Sequence, residues 1–323
     1  MAVYTDITDA ELEALLARYG LGEPLAFKGI AEGVSNSNFL LETEAGRFIL
    51  TIYEHRTPEE DLPFFLGLMR WLGAHGYPSP SPLPDREGEV LQRIGGKPAA
   101  MVSFLKGVSV RRPTIGHCRE AGQGLAELHL AAEGFPGKRA NGLGQSDWIP
   151  IFSVLHDEAE RLKPGLAGEI DEDLFKLALA WPRDLPTGVI HADLFPDNVF
   201  FLDGKFAAAI DFYFACNDIL AYDLGICLNA WCFEPDGSFN VTKAQSLVAG
   251  YESRRSLSSA ERDALPLLAY GAAMRFFLTR LADWGATPAG ALVKPHNPLE
   301  YESKLAFHRA AKGQLQLFGT ASA

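Results

Sequence analysis

His191, Asp193 and Asn198 follow a short apolar run at close spacing, and Asp211 comes after two further β-rich runs. The dipeptide Asp203-Gly204 between those runs predicts a tight hairpin turn, which would return Asp211 toward the first three residues. An Asp that can accept a proton, with an Asn and a second Asp that can hold a hard cation, are the groups that phosphoryl transfer from a magnesium nucleotide requires. We therefore predict Asp193, as the base, and His191 as catalytic residues. Asn198 and Asp211 are the predicted Mg²⁺ ligands.

Each of these signals has an ordinary structural explanation when it is taken alone. A His-x-Asp sequence in a loop is more often a hydrogen-bonded turn than an active site, and Asp-Gly forms hairpins in any protein. The combination of the three residues with Ile210-Asp211-Phe212 after the hairpin favours a phosphotransferase. One alternative is a hydrolase that binds a transition metal through His191, Asp193 and Asp211, although no third His lies at a useful spacing. A catalytically silent binding module of the same fold is another.

The chain has 323 residues, of which 47% are hydrophobic and 22% are charged. This length and composition are those of a globular protein large enough for two lobes. The net charge of -12 argues against a nucleic acid or an anionic membrane as partner, since both select basic surfaces. The start lacks a signal-peptide pattern and no apolar run is long enough to span a membrane, so a cytoplasmic location is expected. No Cys-x-x-Cys pair occurs, and reduced thiols are expected at Cys118, Cys216, Cys227 and Cys232.

The loop from Gly29 to Asn38 lies between two predicted strands and is rich in small and polar residues. Backbone N–H groups of such a loop can approach a phosphate closely, and Ser and Asn side chains add donors. An ordinary hairpin loop would have a similar composition. For nucleotide binding we predict contacts from Gly33, Ser35, Asn36 and Ser37.

The predicted strand from Arg47 to Tyr53 has no Lys. A kinase-like fold would carry a Lys in this strand to hold the nucleotide phosphates, and here only Thr51 lies near that place. Lys28 and Arg47 are weak candidates for the same task. A different mode of phosphate binding is the alternative.

The segment Ser103-Phe104-Leu105-Lys106-Gly107 leaves the last predicted strand before helical patterns begin near Pro113. Backbone groups at Ser103 and Leu105 could pair with an adenine edge, although a plain interdomain hinge would look the same. We predict an α+β, two-lobed kinase-like fold, with a small nucleotide-binding lobe (1–104) that contains an antiparallel sheet. The larger, mostly helical lobe (105–323) would carry the catalytic and substrate-binding residues. A cleft between two such lobes is where ligands usually bind.

Only eleven residues separate Asp211 from Asp223, too few for a segment that could hold a polypeptide, so a small-molecule acceptor is favoured. Asp218 is expected to cap the next helix, and Asp223 to tie down the catalytic loop. His129 shares a helical face with apolar residues and is interpreted as a packing or hydrogen-bonding histidine. Arg275 lies in an apolar helix, where it would either pair with a buried carboxylate or anchor an acidic substrate.

Several segments together resemble a known family, the bacterial homoserine kinases that have an aminoglycoside phosphotransferase and choline kinase-like fold. The likeness covers nearly the whole chain, and the last three segments are more specific than a generic kinase loop. The segments are Gly33-Val34-Ser35-Asn36-Ser37-Asn38, Leu62-Pro63-Phe64-Phe65-Leu66, His191-Ala192-Asp193-Leu194-Phe195-Pro196-Asp197-Asn198, Ile210-Asp211-Phe212-Tyr213-Phe214-Ala215 and Leu228-Asn229-Ala230-Trp231-Cys232-Phe233.

This resemblance implies transfer of the γ-phosphoryl group of ATP, with Mg²⁺, to the side-chain hydroxyl of L-homoserine, a step toward threonine. The family's base corresponds to Asp193 and its metal ligands to Asn198 and Asp211, while the departure at Thr51 leaves the phosphate-clamping Lys unassigned. Homoserine also presents an ammonium and a carboxylate. For these groups the predicted substrate-binding residues are Asp218, Asn229 and Arg275. An aminoglycoside, choline or another amino alcohol are the alternative acceptors.

Overall fold

A computed structural model describes residues 5–30, 36–54, 57–287 and 295–318 of the chain. Within these ranges the helices are α1 (Asp9–Tyr19), α2 (Leu62–Ala74), α3 (Ile115–Ala131), α4 (Gln145–Leu162), α5 (Leu166–Ala180), α6 (Leu220–Trp231), α7 (Val241–Glu252), α8 (Ser259–Ala286) and α9 (Leu299–Ala311). The strands are β1 (Pro24–Ile30), β2 (Ser37–Thr43), β3 (Gly46–Ile52), β4 (Leu91–Ile94), β5 (Lys97–Ser103), β6 (Thr187–Ile190), β7 (Val199–Leu202), β8 (Lys205–Ala209) and β9 (Cys216–Ile219).

The chain divides into two compact units. The first contains the described residues up to Lys106 together with 135–137 and 208–213. The second contains 107–134, 138–207 and the described residues from Phe214 onward. The predicted α+β class, with an antiparallel sheet early in the chain and mostly helices later, is confirmed. The predicted boundary after Phe104 stays a prediction.

The first unit contains an antiparallel sheet with the strand order β1-β2-β3-β5-β4. Helix α1 begins with the capping box that the sequence Thr8-Asp9-Ala10-Glu11 predicts, because Thr8 accepts a hydrogen bond from the backbone of Glu11 and the Glu11 carboxylate accepts one from the backbone of Thr8. It ends at Gly20, whose φ of 71° is left-handed. The apolar face of α1 forms one core with the sheet, built from Leu12, Leu15, Leu16, Phe39, Leu41, Leu50, Ile52, Ile94, Ala99 and Met101.

In the second unit, β6 pairs with β9 in an antiparallel register that sets Ile190 opposite Cys216. Strands β7 and β8 form a separate two-stranded ribbon, which confirms the predicted hairpin. Its turn residues Asp203 and Gly204 have φ values of 51° and 75°. Two successive positive φ values match the right-handed twist of the strands, which is why Asp-Gly is favoured here.

Close helix packing in the second unit depends on two glycines. A β-carbon at Gly122 of α3 would lie 2.1 Å from the carbonyl oxygen of Leu247 in α7. At Gly225 of α6 it would lie 2.9 Å from the backbone nitrogen of Ala269 in α8. Both distances are shorter than real Cβ contacts, so the helices can approach this closely only because glycine has no side chain.

Among the described helices, none combines the length and the apolarity that crossing a bilayer requires.

Candidate active site

The loop after β6 carries the predicted base, and its backbone is held in an unusual conformation. Ala192 has a φ of 62°, which costs a residue with a β-carbon about 1–2 kcal/mol. The carboxylate of Asp223 in α6 accepts hydrogen bonds from the N–H groups of His191 and Ala192, at 2.7 and 2.9 Å. These bonds offset the strain. They also confirm the prediction that Asp223 ties down this loop.

Asp223 is fully buried and is supported from behind by His129 of α3. Burial by itself would raise the pKa of the Asp223 carboxyl, but the hydrogen bond from His129 and those at His191 lower that pKa below its ordinary value. The ionised carboxylate only accepts, so His129 Nε2 donates to it at 3.1 Å. His129 Nδ1 lies 2.8 Å from the hydroxyl of Tyr251. The prediction that His129 is a hydrogen-bonding residue is confirmed.

Arg275 of α8 holds the same loop from its other side. The residue is only 3% exposed, and Nη1 donates to the carbonyl oxygen of Ala192. The guanidinium lies 4.3 Å above the ring of Phe276 and 5.3 Å from that of Phe214. A backbone carbonyl and two aromatic rings surround the charge, and no ion pair with a carboxylate joins it among the described residues. The predicted role as a substrate anchor stays a prediction.

Asp193 and Asn198 are brought together by the turn after the loop. Asn198 Nδ2 donates to the Asp193 carboxylate oxygen Oδ2 at 3.2 Å and to its backbone carbonyl at 2.9 Å. Asp193 is half-buried. His191 is 0% exposed, and its Nδ1 accepts the backbone N–H of Asp193 at 3.3 Å. This geometry supports a positioning role for His191, and direct participation in catalysis stays a prediction.

Two residues of α6 that the sequence did not single out hold the next peptide of the loop. The indole N–H of Trp231 donates to the carbonyl oxygen of Leu194 at 2.7 Å, and the thiol of Cys227 does so at 3.6 Å. Both side chains are buried. Trp231 belongs to the Leu228-Phe233 segment on which the family resemblance rests, and that segment was the available signal.

The other two predicted substrate-binding residues have partners within the protein. Asp218 lies in β9 and accepts a hydrogen bond from Asn141 at 2.6 Å. The expectation that Asp218 caps α6 is wrong, because Ile219 occupies the N-cap position and no side chain caps that helix end. Asn229 is 0% exposed, donates to two backbone carbonyls and accepts from His308 at 2.9 Å. These bonds explain Asn229 structurally.

In the first unit, Thr51 of β3 is buried opposite Asn38 and donates to its side chain at 2.8 Å. An ion pair that the sequence did not predict lies near the end of the same strand, where Lys97 Nζ is 2.5 Å from Glu54 Oε2. Ser37, one of the predicted nucleotide contacts, also donates to Glu54 at 2.7 Å. Burial would raise the pKa of Glu54, but the hydrogen bonds from Lys97 and its neighbours lower it.

The remaining predicted residues divide between the described and the undescribed parts of the chain. Gly33 and Ser35 lie outside the described residues. Asn36 accepts from the backbone of Glu54 and the hydroxyl of Thr57, both at 3.3 Å. Ser103 accepts from the backbone of Ser81 at 2.9 Å, and Leu105 is half-buried beyond the end of β5.

Asp211 lies in the first unit, directly after β8, and has a φ of 62°. Burial raises the pKa of the nearby Tyr213 hydroxyl to about 12, and the negative charge of Asp211 contributes to that shift. Among the residues that the structure describes, no group of three or more His, Cys, Asp or Glu side chains is arranged to hold a metal ion. The predicted Mg²⁺ ligands, Asn198 and Asp211, include only one side chain of these four types, so they are not a group of this kind.

Comparison with known proteins assigns the class to which this fold and loop belong. A model of the phosphotransferase enzyme family matches residues 26–257, which is well over half of the chain. The chain therefore belongs to the phosphotransferase enzyme family. It is also 69% identical over 320 residues to the homoserine kinase of Caulobacter sp. (strain K31), with 99% of each chain covered. The homoserine kinase of Phenylobacterium zucineum (strain HLK1) is 69% identical over 323 residues, with both chains covered completely.

Solved structures of distant relatives have the same fold. Amicoumacin kinase hAmiN in complex with AMP-PNP, Ca²⁺ and Ami superposes with a TM-score of 0.68 at 17% identity, over 95% of this chain and 94% of that one. Choline kinase from Cryptosporidium parvum Iowa II superposes with a TM-score of 0.65 at 12% identity, over 95% of this chain and 96% of that one. At such identities the likeness concerns the fold alone.

Proposed function

We propose that this protein transfers the γ-phosphoryl group of ATP to the side-chain hydroxyl of L-homoserine, and so forms O-phospho-L-homoserine for threonine biosynthesis. The observation that carries the proposal is the pairing of Asp193 with Asn198 in a loop fixed by Asp223 and Arg275. The family membership and the two relatives named homoserine kinase support the choice of reaction and acceptor. A cytoplasmic location and a small-molecule partner belong to the same proposal.

Asp193 acts as the base in this reaction. A carboxylate that accepts the hydroxyl proton makes the acceptor oxygen a better nucleophile toward the terminal phosphate. Asp193 is half-buried, so the residue is not sealed from the surrounding solvent in which an acceptor arrives. The hydrogen bond from Asn198 restricts its orientation, which lowers the cost of aligning it with the hydroxyl group.

Mg²⁺ would be held by Asn198 and Asp211. The amide of Asn198 uses its NH₂ group toward Asp193, so its acceptor oxygen is the atom left to face a cation. Amide and carboxylate oxygens are the donors that this ion prefers, and two of them suffice because magnesium keeps several waters. When bound, the ion neutralises negative charge that develops on the phosphates.

The nucleotide is proposed to contact the first unit. Gly33, Ser35, Asn36 and Ser37 would supply donors to the phosphates, and the backbone at Ser103 and Leu105 would pair with the adenine. Lys97 pairs with Glu54, and Ser37 donates to the same carboxylate, so a lysine lies beside one of the proposed phosphate contacts. We therefore propose Lys97 as a better candidate than Lys28 or Arg47 for holding the nucleotide phosphates. Arg47 pairs with Glu42 on the surface.

The test is the release of ADP with L-homoserine, choline or an aminoglycoside as acceptor, with and without magnesium. Magnesium-dependent release with L-homoserine is expected for the wild type. Asp193→Asn should lower the turnover number on the order of 10³-fold, because the amide cannot accept the proton. Turnover of the variant equal to that of the wild type would remove Asp193 from the role of base.

The matched control is Asp197→Asn, which neutralises an exposed carboxylate in the same short segment. Its turnover number should stay within about twofold of the wild type, since surface charge alone contributes little to a barrier. A faster reaction with choline than with L-homoserine would move the proposal to an amino-alcohol kinase. No ADP release with any acceptor would favour a silent binding module.

A further inference from the structure

A cavity of about 580 Å³ lies in the second unit beside the loop that carries Asp193. Pro196, three residues after Asp193, forms part of its lining. Trp231, whose indole holds the carbonyl of Leu194, forms another part. The cavity is therefore adjacent to the proposed base through both the chain and a hydrogen bond. Its basic lining residues are Arg111, Arg112, Lys243 and Lys304.

Lys304 of α9 is a buried cation in this lining, with a side chain 9% exposed. Its Nζ donates to the backbone carbonyl of Asn229 at 3.0 Å and to Glu300 Oε1 at 3.1 Å. An ammonium has three N–H groups, so within the described chain one of them has no oxygen acceptor and faces the rings of Tyr301 and Phe233. Burial lowers the pKa of Lys304, and Glu300 only partly opposes that shift. An additional anion would stabilise the charged form.

Lys304 is also linked to the proposed base through Tyr301. The ammonium lies 4.2 Å from the centre of the buried Tyr301 ring. Burial raises the pKa of the Tyr301 hydroxyl, and the negative charge of Asp193 adds to that increase. Tyr301 is therefore influenced by the charges of both Lys304 and Asp193.

The other lining charges differ in whether they are already neutralised. Lys243 forms an ion pair with Glu234 at 2.7 Å, and Asp236 accepts from the backbone and hydroxyl of Ser238. Arg111 and Arg112 are exposed, and neither has an ion-pair partner among the described residues. The lining thus has four basic side chains against three carboxylates, those of Glu234, Asp236 and Glu300, and its net charge is positive. This is the charge that an anionic group of a ligand would complement.

We propose that the cavity binds the α-carboxylate of the amino-acid acceptor, with Lys304 Nζ as its hydrogen-bond donor and Arg111 and Arg112 as flanking cations. The assignment rests on the proposed function and adds the residues that decide its substrate class. Acceptors would be hydroxy amino acids with a free carboxylate. Amino alcohols would lose the charge-assisted bond, and polycationic aminoglycosides would be repelled.

Lys304→Met is the first test, because it removes the charge while keeping an unbranched apolar chain over Tyr301. The KM for L-homoserine should rise on the order of 30-fold, whereas kcat should change less than about threefold. The comparison substrate is the amide of L-homoserine, which keeps the hydroxyl and ammonium but lacks the negative charge. Its kcat/KM should differ by less than about twofold between wild type and variant. An unchanged KM for L-homoserine would overturn the proposal.

Two further measurements keep the proposal testable if Lys304→Met does not fold. The first is the wild type alone, which should prefer L-homoserine over its amide by about 30-fold or more in kcat/KM. The second is Arg111→Gln combined with Arg112→Gln, two exposed positions where folding should be preserved. The double variant should raise the KM for L-homoserine about fivefold at low salt and less at high salt. Equal use of both substrates by the wild type would overturn the proposal.

The matched control is Lys176→Met, which removes a lysine of α5 that is 61% exposed and pairs with Glu172. Its KM for L-homoserine should equal that of the wild type. Failure of this inference can be separated from failure of the proposed function. If the wild type phosphorylates L-homoserine but does not distinguish it from the amide, only the carboxylate site is wrong. If it phosphorylates neither, the proposed function is wrong.

Discussion

Asp223 holds Ala192 in a left-handed conformation, with its Oδ1 accepting the Ala192 N–H at 2.9 Å while φ is 62°. Its other oxygen accepts the N–H of His191 at 2.7 Å. One buried carboxylate therefore sets the direction in which the chain leaves β6 and enters Asp193. The position of the proposed base depends on a residue that lies outside the loop itself.

Asp223→Asn is expected to lower both stability and turnover. The amide has one acceptor oxygen where the carboxylate has two, so one of the two loop N–H groups loses its partner. We expect the free energy of unfolding to fall by about 3 kcal/mol, since a buried hydrogen-bonded charge is removed, and kcat to fall at least about tenfold. Urea unfolding and steady-state kinetics measure the two effects. Asp171→Asn, at a site 58% exposed, is the control and should match the wild type.

Ala192→Gly should be tolerated far better than an equivalent change in a helix. Glycine adopts positive φ without strain, which stabilises the folded state relative to alanine at this position. This gain offsets part of the free energy that is lost because glycine has a larger entropy in the unfolded chain and buries no methyl group. Ala126→Gly in α3 has no such gain. Ala192→Gly should therefore cost at least about 1 kcal/mol less in the free energy of unfolding than Ala126→Gly. Equal losses in denaturant titrations would show that the strain at Ala192 is not significant.

Arg275→Met should act on kcat and stability rather than on substrate affinity. The change removes the donor to the Ala192 carbonyl, and we expect kcat to fall about tenfold and unfolding free energy to fall by about 2 kcal/mol. The KM for L-homoserine should change less than about twofold. Arg262→Met, on the same helix but in a half-exposed pair with Glu252, is the control. A large rise in KM would return Arg275 to the predicted role of substrate anchor.

His308 should make the protein more sensitive to acid. Burial, with a contribution from Lys304, lowers the pKa of His308 to about 3 from an ordinary 6.5. Between these values the unfolded chain binds a proton that the folded protein does not, so stability is complete above pH 6.5 and falls as the pH is lowered. The slope approaches about 1.4 kcal/mol per pH unit.

His308→Gln tests this expectation, because glutamine keeps a donor for Asn229 but does not titrate. Unfolding free energies of both proteins should be measured by denaturant titration from pH 7.5 to pH 4.5. Carboxylates titrate equally in both, so the difference between the curves isolates the histidine. The variant should lose less stability on acidification, and parallel curves would contradict the low pKa of His308.

Local signals in the sequence predicted the elements that depend on neighbouring residues. The capping box at Thr8 and the Asp203-Gly204 hairpin are both present, because caps and tight turns are decided by backbone conformation within a few residues. The placement of Asp193 beside Asn198 is equally local, since only five positions separate them. The role of Asp223 was also predictable, although its partners are more than thirty positions away.

Only the tertiary structure decided which distant charges meet. Arg275 and Ala192 are 83 positions apart, and Lys97 and Glu54 are 43 positions apart. Neither pair leaves a periodic pattern, because an ion pair or a hydrogen bond to a carbonyl can form between any elements that packing brings together. The cavity with Lys304 depends on the placement of α9 as well. The sequence by itself thus determined the local turns and the spacing that brings Asp193 beside Asn198, while packing of helices from distant parts of the chain decided which side chains support the loop and which face the cavity.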